Sequence, residues 1–433
     1  MVHASDTGPG RERTRFAAAT RQDWIRHLDL LLAWAILITV FCLPLSESLK
    51  NIGYGIALMA YLTLVVVGGW EQIVAPPVGV LLLVSVAVAI ASAVASADPR
   101  QAWRGAWEVF RYTSFFFLVC RGIRGERWVA AFLWAAVAAV GLAATILVGR
   151  DLVFGFTIHH FTMFSLGNKN AVAQYLVMTL AVILGMWDRM SVGRGGAAVL
   201  VVSGASSLIL LALSSARTMW IGLLVVVVLL VGWRRAWRVL PAVGLFVVVV
   251  VGVVMAKPEV AQRVAALSHS ETYLDFGQRT EIWRSAVRLW LDHPWLGIGP
   301  RTFRLYSGAT GDPDRARYGM PKGVTQAHNI WLQAAAEMGT LGLLAMAAWV
   351  VAISIWLVRH RTSFGEGALG AAWAGAVGGL AATLVGGMTE PAIGYEHAIL
   401  LMGLLGIVLG AQARTERKCE RSGVSPAVRS PVA

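Results

Sequence analysis

The chain has 433 residues, 57% of them hydrophobic and only 14% charged, with a mean hydropathy of +0.66. Soluble domains carry roughly 25% charged residues, so an ordinary soluble fold is excluded and the composition is that of a membrane protein. The formal net charge of +13 does not imply nucleic-acid binding: no aromatic-basic module is visible, and membrane proteins retain Lys and Arg in cytoplasmic loops.

A spanning helix needs about 20 mostly apolar residues. Residues 1–27 are polar and basic, without a short apolar run ending in a cleavage site. The first apolar segment therefore reads as a retained helix rather than a signal peptide. Spans are expected at roughly 28–44, 52–69, 76–96, 106–121, 128–148, 170–187, 196–214, 217–233, 239–256, 329–357, 367–389 and 395–412. The fold class that follows is an all-α polytopic membrane protein of about 12 transmembrane helices. The fourth span is the most polar. It carries Glu108 and Arg111, whose spacing puts them on one face where they could pair. The cysteines are Cys42, Cys120 and Cys419; none lies in a position that suggests a disulfide framework or a metal site.

Basic residues cluster in alternate short connections. They precede the first span and follow the fourth (Arg121, Arg124, Arg127), sixth (Arg189, Arg194), eighth (Arg234, Arg235, Arg238) and tenth (Arg359, Arg361), and they close the chain. With twelve spans all of these lie on one side, which the positive-inside rule makes cytoplasmic. The expected organisation is a cytoplasmic tail at 1–27, helices 1–9 over 28–256, a large periplasmic loop at 257–328, helices 10–12 over 329–412, and a mobile basic tail at 413–433. The ten Lys and Arg of the large loop do not oppose this, because long loops translocate largely regardless of charge.

Inside the loop, residues 277–291 form an amphipathic pattern. Ile282, Trp283, Ala286 and Trp290 share one face, and Glu281, Arg284 and Arg288 the other. Arg279 projects onto the apolar face one turn before Ile282. It is either an arginine snorkelling at a helix end or an anion clamp. Pro294 should end this helix, and Gly297 and Gly299 should make a tight turn, a lone G-x-G being weak evidence for phosphate binding. His328 then stands where the loop enters the tenth span. Glu337, nine residues on, falls on roughly the opposite face and should not orient it. Arg217, in a very short connection, and Lys169, just before the sixth span, belong to the same side. Cations and a titratable base at one membrane surface suit a lipid-linked phosphate or pyrophosphate, which an Arg fork binds bidentately. Asp275, Asp312 and Asp314 are scattered acids in the loop without recognisable metal-ligand spacing.

Five motifs carry a resemblance: G-N-x-N at 167–170, S-x-R at 215–217, Q-R-x-x-x-W at 278–283, H-P-x-x-G-x-G at 293–299 with Phe303, and H-N-x-x-L-x-x-x-x-E-x-G from His328 to Gly339. In order and spacing they resemble the O-antigen ligase and polymerase superfamily of bacterial envelope proteins, most closely O-antigen ligase. The resemblance implies a GT-C-like, multi-pass inner-membrane glycosyltransferase of lipopolysaccharide biosynthesis. Its donor would be a glycan on undecaprenyl pyrophosphate and its acceptor lipid A–core in the periplasmic leaflet, with membrane lipids around it and no nucleic-acid partner. It further implies His328, Arg217 and Arg279 as catalytic residues, with Asn168, Lys169, Asn170, Arg284 and Arg301 as substrate contacts, and neither cofactor nor metal. O-antigen polymerase and protein O-oligosaccharyltransferase share these motifs. A lipid-linked glycan transporter is the reading from another class, although transporters place their ionisable residues near mid-membrane.

Overall fold

The computed structural model describes residues 9–74, 76–154, 163–214, 216–232, 244, 252, 276–306, 318–320, 323–390 and 396–422. In chain order the helices are α1 (Pro9–Cys42), α2 (Glu47–Gly68), α3 (Pro77–Ala95), α4 (Pro99–Gly122), α5 (Gly125–Phe154), α6 (Lys169–Arg189), α7 (Arg194–Leu213), α8 (Arg217–Val231), α9 (Phe276–Asp292), α10 (Ile330–Arg359), α11 (Ala368–Gly387) and α12 (Glu396–Ser422). Single turns of 3-10 helix lie at Trp70–Gln72 and Phe303–Tyr306. The chain is an all-α polytopic membrane protein: nine helices among the described residues are long and apolar enough to cross a bilayer. Two further expected spans are helical but fall short. α4 is too charged, and α8 has only 15 residues. Apart from residues 244 and 252, the ninth expected span and loop residues 257–275 lie outside the described residues.

The packing is dictated by side-chain size. α11 is almost entirely Ala and Gly on the side facing α6, and a Cβ at Gly378 would lie 2.4 Å from the Ala181 Cβ. Small residues let backbones approach closely, and this drives helix association where no hydrophobic gradient exists. α6 is consequently the most enclosed of the spans, with Tyr175 wholly buried. α4 packs its aromatic half, Phe115 to Phe117, against α3 and α12.

The loop sequence 293–303 solves a backbone problem in α10. Gly339 has φ 68° and ψ −165° inside the helix, a combination open essentially to glycine alone. The break frees two carbonyls and two amides, and the loop takes all four. Ile298 N donates to Ala336 O (3.0 Å) and Gly299 N to Glu337 O (2.9 Å). In return, Thr340 N donates to Pro294 O (2.7 Å) and Leu341 N to Trp295 O (3.3 Å). Gly297, with φ 66°, fits because a Cβ there would lie 2.4 Å from the Glu337 carbonyl carbon. α3 seals the joint, with Ser92 Oγ donating to Glu337 O (2.9 Å) and Ser96 Oγ to Ile298 O (2.7 Å). The turn's amides are therefore occupied, Gly297 N by His293 O and Ile298 N and Gly299 N by α10, and form no phosphate cradle. α9 closes over it with a small core of its own, built from Ile282, Ala286, Leu289, Phe303, Tyr318 and Ala327. Its charged face, Glu281, Arg284 and Arg288, is exposed, as the amphipathic pattern requires.

Two local expectations resolve differently. Glu108 and Arg111 share a face but not a bond. Glu108 pairs with Arg301, brought over α4 where Gly105 admits Pro300, and Arg111 donates to Asn51 (3.3 Å). Beyond residue 412 the chain stays helical to Ser422 rather than becoming a mobile tail. Ala-Gln-Ala-Arg is a helix-forming run, Gln412 bonds Glu416 at i,i+4 (3.1 Å), and Arg414 caps carbonyls at the end of α4, Cys120 O and Ile123 O.

Candidate active site at one end of the bundle

The starts of α6, α8 and α10 and the end of α11 meet at one end of the bundle. A Cβ at Gly386 would lie 2.9 Å from Gln174 Oε1 and 3.2 Å from Met219 Cε, and one at Gly387 would lie 2.9 Å from Ile330 Cγ2. These close approaches bring together residues from four helices that are far apart along the chain.

The starts of α6 and α10 are each built by an Asn cap. Asn168 Oδ1 accepts from Asn170 N (2.9 Å), and Asn329 Oδ1 accepts from Trp331 N (3.0 Å) and Leu332 N (3.1 Å). In G-N-x-N the first Asn thus shapes the backbone and frees the second to reach outward. Asn170 Nδ2 donates to Glu390 Oε1 at 2.5 Å. The same oxygen lies 3.2 Å from His328 Nδ1, and Glu390 Oε2 accepts from Gln326 Nε2 at 3.1 Å. One largely buried carboxylate therefore gathers three groups from two segments, the start of α6 and the stretch before α10. An ionised carboxylate only accepts, so His328 Nδ1 carries the hydrogen and Nε2 is left with its lone pair. His328 has φ 49°, in the left-handed region that non-glycine residues rarely occupy. Gln333 Oε1 holds this bend by accepting from Ala327 N (2.6 Å). Such strain is retained where the surroundings over-determine a geometry.

The predicted arginines occupy two settings. Arg217 is the first residue of α8 and is exposed at the same end as Glu390, two residues before Met219. Arg279 is half-buried on α9, and its Nε is buried without a hydrogen-bond partner among the described residues. Trp283 Nε1, one turn on, is likewise unpaired among them. The small core that holds Ile282, one turn from Arg279, also holds Ala327, next to His328. Neither Arg217 nor Arg279 has a carboxylate partner among the described residues. Lys169 is exposed beside Asn168 and Asn170, and Arg284 is exposed on the outer face of α9. Ser215 of the S-x-R motif, with Asp275, Asp312 and Asp314, lies outside the described residues.

Arg301 stands apart from these. It has φ 65°, pairs with Glu108, and lines a cleft of about 340 Å³ between α4, the 300–304 segment and α10. Arg304, Gln326, Gln333 and Glu337 also line it. A narrower apolar cavity among α3, α4, α10, α11 and α12 shares Val109, Tyr112, Ile330 and Met338 with the cleft. Glu337, fully within the joint, accepts from Phe303 N (3.1 Å) and so clamps the loop rather than His328. Among the described residues no three His, Cys, Asp or Glu side chains converge in a group able to hold a metal ion.

Sequence reasoning missed Glu390 and Gln326. Glu390 was visible as the one acidic residue in Met-Thr-Glu-Pro, a short connection on the same side as His328. Only the helix packing shows that it reaches the histidine.

A bundle of apolar helices with a histidine–carboxylate pair and unengaged arginines at one end defines a polytopic membrane protein with a polar site at a membrane surface. Residues 197–347, which contain Arg217, Arg279, Arg301 and His328, match the family model described as O-Antigen ligase. The match runs from α7 into α10 and covers about a third of the chain. No curated protein matches the chain.

Proposed function

We propose that this protein is an O-antigen ligase, an inverting glycosyltransferase of the inner membrane. It moves a finished glycan from undecaprenyl pyrophosphate to lipid A–core, with its site at the periplasmic face and without a metal. The observation that carries the reading is the His328–Glu390 pair, which leaves Nε2 of a fixed imidazole available at the end of the bundle where Arg217 and Arg279 lie unengaged. The positive-inside pattern puts this end in the periplasm.

The reaction follows from these groups. An acceptor sugar hydroxyl attacks the anomeric carbon of the donor, and the bond from that carbon to the pyrophosphate oxygen breaks. The hydroxyl proton passes to His328 Nε2, and undecaprenyl pyrophosphate leaves. Negative charge grows on the leaving group as the bond breaks, so guanidinium groups there stabilise the transition state more than the ground state. Glu390 holds the imidazole in the required tautomer and offsets its charge once protonated. Attack opposite the leaving group inverts the anomeric centre. Base catalysis of this kind contributes about 10²–10⁴-fold.

The test is transfer by purified protein from a lipid-linked glycan, with lipid A–core, a second lipid-linked glycan and a pilin-like protein offered in parallel. Transfer to lipid A–core alone is expected. Extension of the second lipid-linked glycan would make the protein a polymerase. His328→Ala should lower turnover by on the order of 10²-fold or more. Full turnover in a folded His328→Ala protein would end the general-base proposal, and loss of activity with chelator would end the metal-free one.

A further inference from the structure

We infer that the cleft between α4, the 300–304 segment and α10 is a saccharide subsite, and that it holds the acceptor sugar. The inference rests on the proposed transfer reaction but concerns a different surface from the one holding the pyrophosphate. The volume of about 340 Å³ falls within the roughly 300–1,000 Å³ of small-molecule pockets. Its lining includes two acids, Glu108 and Glu337, and two bases, Arg301 and Arg304. Glu108, paired with Arg301, offsets part of the positive charge, unlike the Arg217 and Arg279 positions, which have no carboxylate partner among the described residues. A phosphate would be repelled by the carboxylate that lines the cleft. A sugar is not, because each hydroxyl both donates and accepts, and planar carboxylate, guanidinium and amide groups span neighbouring hydroxyls two at a time. The side chains of Glu108 and Arg301 are 23% and 45% exposed, so the rest of their bonding capacity is open. Apolar walls from Val109, Ile330 and Met338 suit the C–H faces of a ring.

The position of Gln326 assigns the cleft to the acceptor. Gln326 lines the cleft and also donates to Glu390 Oε2, while Glu390 Oε1 takes His328 and Asn170. The carboxylate that orients the base is thus wired to the cleft on one side and to α6 on the other. Gln326 thus connects a sugar in the cleft to the carboxylate that holds the base.

The experiment uses full-length protein in detergent, with lipid A–core and undecaprenyl-pyrophosphate glycan as substrates. Arg304→Ala removes a lining cation that has no ion-pair partner among the described residues. Ala334→Leu fills the cleft without touching a charge. Thermal melting confirms that each variant is folded. The expected result is a rise of about tenfold or more in the KM for lipid A–core, with the KM for the donor unchanged. Calorimetry with delipidated core oligosaccharide and donor-free protein should show binding that both variants weaken. A rise in donor KM instead, or no change in acceptor KM and oligosaccharide binding in both folded variants, overturns the assignment. Oligosaccharide binding that the variants weaken, in a protein transferring to none of the offered acceptors, would uphold the subsite and defeat the transfer reading.

Discussion

Replacing Glu390 by glutamine tests the site where sequence reasoning was blind. The change is nearly isosteric but substitutes an amide for a carboxylate that accepts from Asn170 Nδ2 at 2.5 Å, Gln326 Nε2 at 3.1 Å and His328 Nδ1 at 3.2 Å. An amide keeps one acceptor oxygen and turns an N–H pair towards at least one of these donors. It also removes the negative charge that faces the imidazole as it takes a proton. A hydrogen bond to a charged group contributes about 1.5–3 kcal/mol. Losing about 3 kcal/mol from the transition state lowers the rate by about 10²-fold. Under the proposed mechanism, in which Arg217 and Arg279 hold the pyrophosphate, the loss should fall on kcat and leave the donor KM near its original value. Glu390→Asp should recover part of the rate by restoring the charge. Single-turnover transfer with saturating donor, measured across pH on protein of checked melting temperature, separates the contributions. A folded Glu390→Gln protein with unchanged kcat would refute the positioning role, and an increase in donor KM alone would move Glu390 to substrate binding.

Two further expectations follow from the geometry. Arg217→Ala and Arg279→Ala should each nearly abolish transfer in a folded protein, and lysine should restore only part because a point charge replaces a planar fork; steady-state turnover decides, and wild-type rates in both alanine variants would make these arginines snorkelling side chains. Gly339→Ala should destabilise the joint between the loop and α10 by about 2 kcal/mol or more, since the Cβ would meet the Trp295 carbonyl carbon at 2.3 Å; melting temperature and proteolysis between residues 293 and 303 report it, and an unchanged melt with an uncut loop would contradict the hydrogen-bond exchange described above.

Much of the architecture was legible because it depends on local composition. Runs of about 20 apolar residues can satisfy their backbone in lipid only as helices, so nine of the expected spans follow from hydropathy alone. The face of α9 follows from 3.6-residue periodicity, which buries Ile282 and Ala286 and exposes Arg284 and Arg288. Single side chains at helix starts were also legible: Asn168, Asn329 and His328 stand out as polar residues where apolar runs begin. Pairings were not. Glu108 bonds Arg301, 193 positions away, rather than its neighbour Arg111, and Glu390 reaches Asn170 across 220 positions. Periodicity carries no information about such distances, because they are set by which helices pack and how closely. Here that was decided by the glycine- and alanine-rich face of α11 against α6, and by the glycine break in α10 that draws in the 293–303 loop. The residue types at the site can be read along the chain; that a carboxylate from the last connection orients the histidine was decided only when those helices came together.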